Sequence, residues 1–206
     1  MSVKKTDTVY LGLFRRFFLY FNLLGQAKKI KMLEKQIKAA IRDVPDFPKK
    51  GIIFKDITPI FLDASLSKAI TDAFVEHART LNIDVVCGLE SRGFLFGVGI
   101  AQALNVPFVL LRKKGKLPRA TIEQSYDLEY GQAIIEAHLD DIPRGSRVLI
   151  HDDLLATVGT AVAAAELIQK LDAKVAGFSF LVELSFLKGS EKTKLYSSNI
   201  KSLVLY

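Results

Sequence analysis

Between Val148 and Thr160 the chain reads Val-Leu-Ile-His-Asp-Asp-Leu-Leu-Ala-Thr-Val-Gly-Thr. An apolar run delivers two carboxylates, Asp152 and Asp153, and small residues then lead into an Ala-rich helical segment over 160–171. Each part has a chemical use. The backbone N–H groups of Ala156, Thr157, Val158, Gly159 and Thr160, backed by the positive end of the helix, form a cradle for a phosphate. The two aspartates repel such a phosphate. They suit sugar hydroxyls, which donate to carboxylates, or a magnesium ion held through its waters. Phosphate, diol and metal together describe a ribose phosphate. An isolated aspartate pair would read as a solvated strand end; the loop and helix behind it make it a candidate site.

For such residues to meet, strands and helices must alternate around them. Residues 84–89 are a short apolar run ending in Glu90-Ser91-Arg92-Gly93, residues 94–104 read as a buried helix, and residues 107–111 as a strand. A loop rich in Lys, Gly and Pro is expected from Arg112 to Ala120, then a hairpin in which residues 126–130 and 132–137 flank Gly131. Residues 147–150 form the strand that carries the aspartates, and residues 175–184 return to strand. This order implies βαβ units and an α/β fold with a parallel sheet. Ligands of such sheets sit beyond the carboxyl ends of the strands. Three polar clusters fall there (90–93, 112–116 and 152–160), which suggests an anionic ligand. Upstream, residues 65–81 have helical spacing with Ser65 as the cap, residues 43–51 are an extended, turning segment, and a short amphipathic helix is expected over 32–42.

A chain of 206 residues with half of them apolar and a quarter charged fits one soluble globular domain. Its single cysteine, Cys87, excludes an internal disulfide and fits a reducing cytoplasm. His77, His138 and His151 are scattered, so no Cys/His cluster has the spacing of a zinc site. The net charge of +7 would raise nucleic acid as a partner. Residues 1–31, however, hold seven of the 29 basic residues and one of the 22 acidic ones, so the body is nearly neutral and nucleic acid is not the expected partner. That leader is rich in Phe and Leu over 10–24 but interrupted by Arg15 and Arg16, short of the roughly 20 apolar residues needed to cross a bilayer. It fits an organellar targeting segment, a basic surface helix able to touch a membrane, or an extension outside the working protein, with Met32 as a natural start. The expected division is therefore an extension over 1–31 and a domain over 32–206.

The aspartate segment resembles the phosphoribosyl pyrophosphate motif of type I phosphoribosyltransferases, and its wording is close to the adenine-specific members. Other pieces carry the same likeness in the same order: Pro45-Asp-Phe-Pro48, Gly51-Ile-Ile-Phe-Lys-Asp-Ile-Thr-Pro59, Leu89-Glu-Ser-Arg-Gly-Phe94, Arg112-Lys-Lys-Gly-Lys-Leu-Pro118 and Tyr126-Asp-Leu-Glu-Tyr-Gly131. The resemblance covers roughly residues 33–206 and implies the type I phosphoribosyltransferase fold, with a small hood and a mobile lid loop. It also implies a cytoplasmic homodimer that uses Mg2+, held mainly through the substrate with Asp152 and Asp153 reached via water.

By that resemblance, the reaction joins adenine and phosphoribosyl pyrophosphate to give AMP and pyrophosphate. Arg92 would bind the departing pyrophosphate, with the peptide just before it often strained in the family. Arg112, Lys113 and Lys116 would belong to the lid. Phe54 would stack on the purine while main-chain groups near Ile53 and Lys55 read its edge, and Glu129 would act as general acid or base. His151, usually aliphatic in the family, is expected to be a packing or hydrogen-bonded residue. The family has glycine at Val158, and a β-branched residue forced to positive φ there would be strained. The rival readings are a phosphoribosyltransferase for another purine, or a nucleotide-sensing regulator on the same fold with weakened catalysis.

Overall fold

The computed structural model describes residues 25–127, 131–156 and 159–206, in two compact units: one ending at Ser67, the other spanning Lys68–Tyr206. In the first, helix α1 occupies residues 25–40 and runs unbroken through Met32. It begins earlier than its buried position, Ile37, would suggest. The Gln-Ala-Lys-Lys stretch after Gly25 consists of strong helix formers that need no packing partner to stay in register. Strands β1 (Arg42–Pro45) and β2 (Ile53–Asp56) pair antiparallel, so the segment expected to be merely extended closes a two-stranded sheet. The turn between them is fixed by Asp46, whose Oδ1 accepts from the Gly51 N–H at 2.7 Å, with Gly51 at φ 89°. A 3-10 turn, Thr58–Leu62, leads to helix α2 (Ala64–Arg79). Its cap is Asp63 rather than the expected Ser65: Asp63 Oδ1 accepts from the Leu66 N–H at 3.0 Å.

The second unit is built on a seven-stranded sheet. Strand β3 (Val85–Leu89) is buried at all five positions, the mark of a parallel strand covered on both faces. Helix α3 (Gly93–Leu104) crosses from it to β4 (Phe108–Lys113). The chain then leaves the parallel pattern for a hairpin, β5 (Thr121–Asp127) and β6 (Gln132–His138), before β7 (Arg147–Leu155), helix α4 (Gly159–Lys170) and β8 (Lys174–Glu183). A short α5 (Gly189–Thr193) and β9 (Ile200–Leu205) complete it. The strand order is β5-β6-β4-β3-β7-β8-β9, parallel from β4 to β9, with β6 antiparallel to β4.

Four alanines of α4 (Ala161, Ala163, Ala164 and Ala165) pack in the main core with residues of β3, β4, β7 and β8. Their small side chains let the helix lie close to the sheet. Phe74, Phe96 and His151 form a second aromatic cluster, with Phe74 and His151 centroids 4.9 Å apart. Cys87 is buried in β3, and burial pushes its thiol far up from its ordinary ionisation range. Among the described residues no helix is long and apolar enough to cross a membrane.

Candidate active site at the ends of the parallel strands

The end of β3 lies beside His151 and Asp152 of β7 because the two strands pair in parallel, Gly88 opposite His151. This register sets the clusters 90–93 and 152–153 next to each other. Gly93 then decides how closely they meet. A Cβ built on it would lie 2.7 Å from the His151 carbonyl oxygen and 3.1 Å from Asp152 Cα, so only glycine lets α3 start this near β7. Arg92, at the N-cap of α3, is thereby carried to Asp153, its Nε 3.0 Å from Asp153 Oδ2. The Glu90–Ser91 peptide bond ahead of it is cis.

Asp152 and Asp153 form a crowded, buried acidic pair. The Asp153 N–H donates to Asp152 Oδ1 at 2.8 Å. Burial, and then the charge of Asp153, hold the Asp152 carboxyl well above the usual carboxylate range. Burial also raises Asp153, with the Arg92 guanidinium pulling the other way. One guanidinium does not offset two desolvated carboxylates. The pair is therefore short of positive charge and of donors, which hydroxyls or a cation would supply. Just before it, His151 is fully buried, its Nδ1 2.8 Å from Ser179 Oγ, as a packing and hydrogen-bonded residue should be. Burial pushes it down to about 3, so the ring is neutral.

Beyond the pair, the phosphate-loop segment is bounded by Ala156 and by Gly159 and Thr160 at the start of α4; Thr157 and Val158 lie outside the described residues. Gly159 is required by close approach, since a Cβ there would meet Tyr126 Cδ2 at 2.7 Å and the Asp127 carbonyl oxygen at 3.1 Å. On the other side a Cβ on Gly189 would meet the Ala156 carbonyl oxygen at 3.1 Å. A cavity of about 520 Å³ opens here, its lining including Tyr126, Asp127, Gly159, Leu187 and Lys192. Glu129, three residues past Tyr126, lies outside the described residues.

The cationic segment corrects the expected loop. Arg112 and Lys113 belong to β4, paired with Glu136 and Ile135 of β6, because antiparallel pairing extends the strand past the point where its apolar pattern stops. Arg112 is held by Glu90, Nε to Oε2 at 3.2 Å, and the same carboxylate oxygen accepts from the Lys113 N–H at 2.9 Å. Lys116 and Lys113 are exposed and make no ion pair among the described residues, whereas Lys114 pairs with Glu123. The sequence did not single out Glu136 or give Glu90 a role of its own. Charge inside an apolar strand, as in Ile135-Glu136-Ala137, was the available signal for Glu136.

Ile53, Phe54 and Lys55 lie on β2 in the first unit. Pro45 has no N–H, so the Pro45–Ile53 pair fits the non-hydrogen-bonded class, and Asp43–Lys55 shares it by alternation. Phe54 is half-buried and in edge contact with Phe47, centroids 5.1 Å apart, and Lys55 pairs with Asp43 at 2.6 Å.

A parallel sheet with a buried acidic pair on β7 just ahead of helix α4, and an arginine paired to it from beyond the neighbouring strand, is the arrangement of a phosphoribosyltransferase. The model of the phosphoribosyl transferase domain matches residues 62–203, and the chain belongs to that family. Within it the likeness is to the adenine phosphoribosyltransferases. The chain is 49% identical over 176 residues to that of Cytophaga hutchinsonii, covering 85% of this chain and 97% of the relative. It is 51% identical over 170 residues to that of Clostridium novyi, covering 82% and 98%. The structure of the Saccharomyces cerevisiae adenine phosphoribosyltransferase, complexed with adenine and an imino-altritol bisphosphate, superimposes with a TM-score of 0.79 at 41% identity, covering 84% of this chain and 99% of that one.

Proposed function

We infer that this chain joins adenine to the ribose 5-phosphate of phosphoribosyl pyrophosphate, releasing AMP and pyrophosphate. The observation that carries it is the buried acidic pair of β7, with Asp153 tied to Arg92 at the start of α3 and helix α4 beginning a few residues further on. The bond from ribose C1 to the pyrophosphate oxygen breaks as C1 bonds to an imidazole nitrogen of adenine, which gives up its proton. Positive charge develops on the ribose ring and negative charge on the leaving group. Arg92, oriented by Asp153, and the exposed Lys113 and Lys116 meet the leaving anion. Asp152 and Asp153 accept from the ribose hydroxyls and fix the direction in which C1 faces. Phe54 stacks on the base, main-chain groups at Ile53 and Lys55 read its edge, and Glu129 takes its proton.

Mg2+ fits the same pair, whose raised carboxyl ionisation marks a shortage of positive charge. Among the described residues no three His, Cys, Asp or Glu side chains converge, so most of the ion's ligands would come from substrate oxygens and water. When bound, the ion neutralises the pyrophosphate. We extend the proposal to a cytoplasmic homodimer: the lone cysteine is a free thiol, and exposed Leu95 and Val98 on α3 give a second copy apolar surface to cover.

The test is a coupled assay of the full chain with phosphoribosyl pyrophosphate and magnesium, adenine competing against hypoxanthine and guanine. AMP as the dominant product is expected. A preference for another purine would reassign the base, and absent turnover with AMP still bound would point to a sensor.

A further inference from the structure

Glu136 is 3% exposed, yet it sits in β6 between Ile135 and Ala137, which are 2% and 0% exposed. A carboxylate in such a strand costs several kcal/mol unless its charge is answered by hydrogen bonds. Its answer comes from one short turn and from the first residue of β5. Glu136 Oε1 accepts from the N–H groups of Lys116 and Leu117, each at 2.9 Å, and Thr121 Oγ1 donates to Oε2 at 3.4 Å. The carbonyl side of the same turn is held by Arg112, whose Nη1 donates to the Lys116 oxygen at 3.1 Å. Arg112 is in turn anchored by Glu90. Two carboxylates, Glu136 on β6 and Glu90 just past the end of β3, thus clamp the chain just where Lys113 and Lys116 emerge. Burial pushes the Glu136 carboxyl up, but the turn's N–H groups outweigh it and leave it below the usual range, so the clamp is charged at neutral pH.

We propose that Glu136 is a positioning residue for the pyrophosphate-binding cations: it fixes the 115–117 turn so that Lys113 and Lys116 are presented to the anionic substrate in one geometry. A residue kept for sheet stability alone would be better apolar at this site. The backbone N–H groups that donate to it all lie in a single turn that carries a cation at its exposed side, and this directs its effect to the phosphate end of the reaction and away from the base. The inference rests on the transferase reading above.

The experiment compares Glu136→Ala and Glu136→Gln with the unaltered chain, measuring the KM for phosphoribosyl pyrophosphate, the KM for adenine and the melting temperature. Glutamine keeps an acceptor oxygen on the turn; alanine removes it. The expected result is a rise in KM for phosphoribosyl pyrophosphate of about 10-fold in the alanine variant, a smaller rise in the glutamine variant, and an unchanged KM for adenine in both. In a background with both Lys113→Ala and Lys116→Ala, Glu136→Ala should add little further, because it acts through those two side chains. A lower melting temperature with both KM values unchanged would reduce Glu136 to a structural role and overturn the proposal. So would a tighter KM for phosphoribosyl pyrophosphate in both variants, the signature of a lost repulsive charge alone. If the unaltered chain makes no AMP, the transferase reading fails first; if it is active and only the KM pattern is absent, this inference fails alone.

Discussion

Replacing His151 with leucine should make the protein more resistant to acid. His151 is fully buried between Phe74 and Phe96, hydrogen-bonded through Nδ1 to Ser179, and its Nε2 has no partner among the described residues. Burial holds its ionisation at about 3, against 6.5 in the unfolded chain. Below pH 6.5 the unfolded chain takes up a proton that the folded chain refuses, so folding stability is fully present above that pH and drains away as pH falls toward 3. At about 1.36 kcal/mol per pH unit the total is about 5 kcal/mol, of which about 3 kcal/mol is lost between pH 7 and pH 4. The leucine variant has no such proton to refuse. The aspartate pair contributes with the opposite sign: its raised carboxyls bind protons in the folded state first. It is present in both proteins and cancels in their difference. Leucine loses the Ser179 bond, worth about 1 kcal/mol at any pH. Thermal unfolding followed by circular dichroism at pH 7, 5.5 and 4 measures the gap. The unaltered chain should fall by about 6–12 °C more than the variant between pH 7 and pH 4. Parallel pH profiles would refute the reasoning, because the histidine could not then be neutral and buried in the folded state.

Gly93→Ala places a Cβ against the His151 carbonyl oxygen at 2.7 Å. It should cost about 1–3 kcal/mol of stability and raise the KM for phosphoribosyl pyrophosphate, since α3 must move away with Arg92; equal melting temperatures and KM values would refute the close approach. Val158→Gly puts the family's glycine back into the sequence and should lower the KM for phosphoribosyl pyrophosphate by about 5-fold or more; equal values would mean that valine at this position costs nothing. Phe54→Ala should raise the KM for adenine by about 10-fold through lost stacking, leaving that for phosphoribosyl pyrophosphate unchanged; a change in both would mean the ring is structural.

What the sequence made legible was the part with local grammar. The run from Val148 to Thr160 announces strand, carboxylates, small-residue loop and helix in consecutive residues; β7 and α4 follow in that order, although β7 runs on through the aspartates to Leu155 instead of ending at Ile150. The pairing of Arg92 with Asp153 was not legible, because it depends on the register of β3 against β7 and on Gly93 having no side chain. Arg112 and Lys113 looked like loop because lysine, glycine and proline follow them. Their strand state is imposed from outside by β6 and Glu90. Glu136 was hidden for the converse reason: a lone charge in a strand pattern reads as solvent-facing until the turn that wraps it is seen. Asp63 displaced Ser65 as the helix cap by one turn geometry that composition does not distinguish.

The position of Cys87 has a practical consequence. The chain's lone thiol is sealed in the middle of the sheet with its ionisation far above neutrality, so water-borne maleimides and iodoacetamides should pass it by while the protein is folded. A single cysteine introduced at an exposed position, such as Lys114, would then be the one reactive sulfur in solution. A fluorophore or spin label attached there would report on the cationic turn without background, and unmasking of Cys87 in the same sample would time global unfolding.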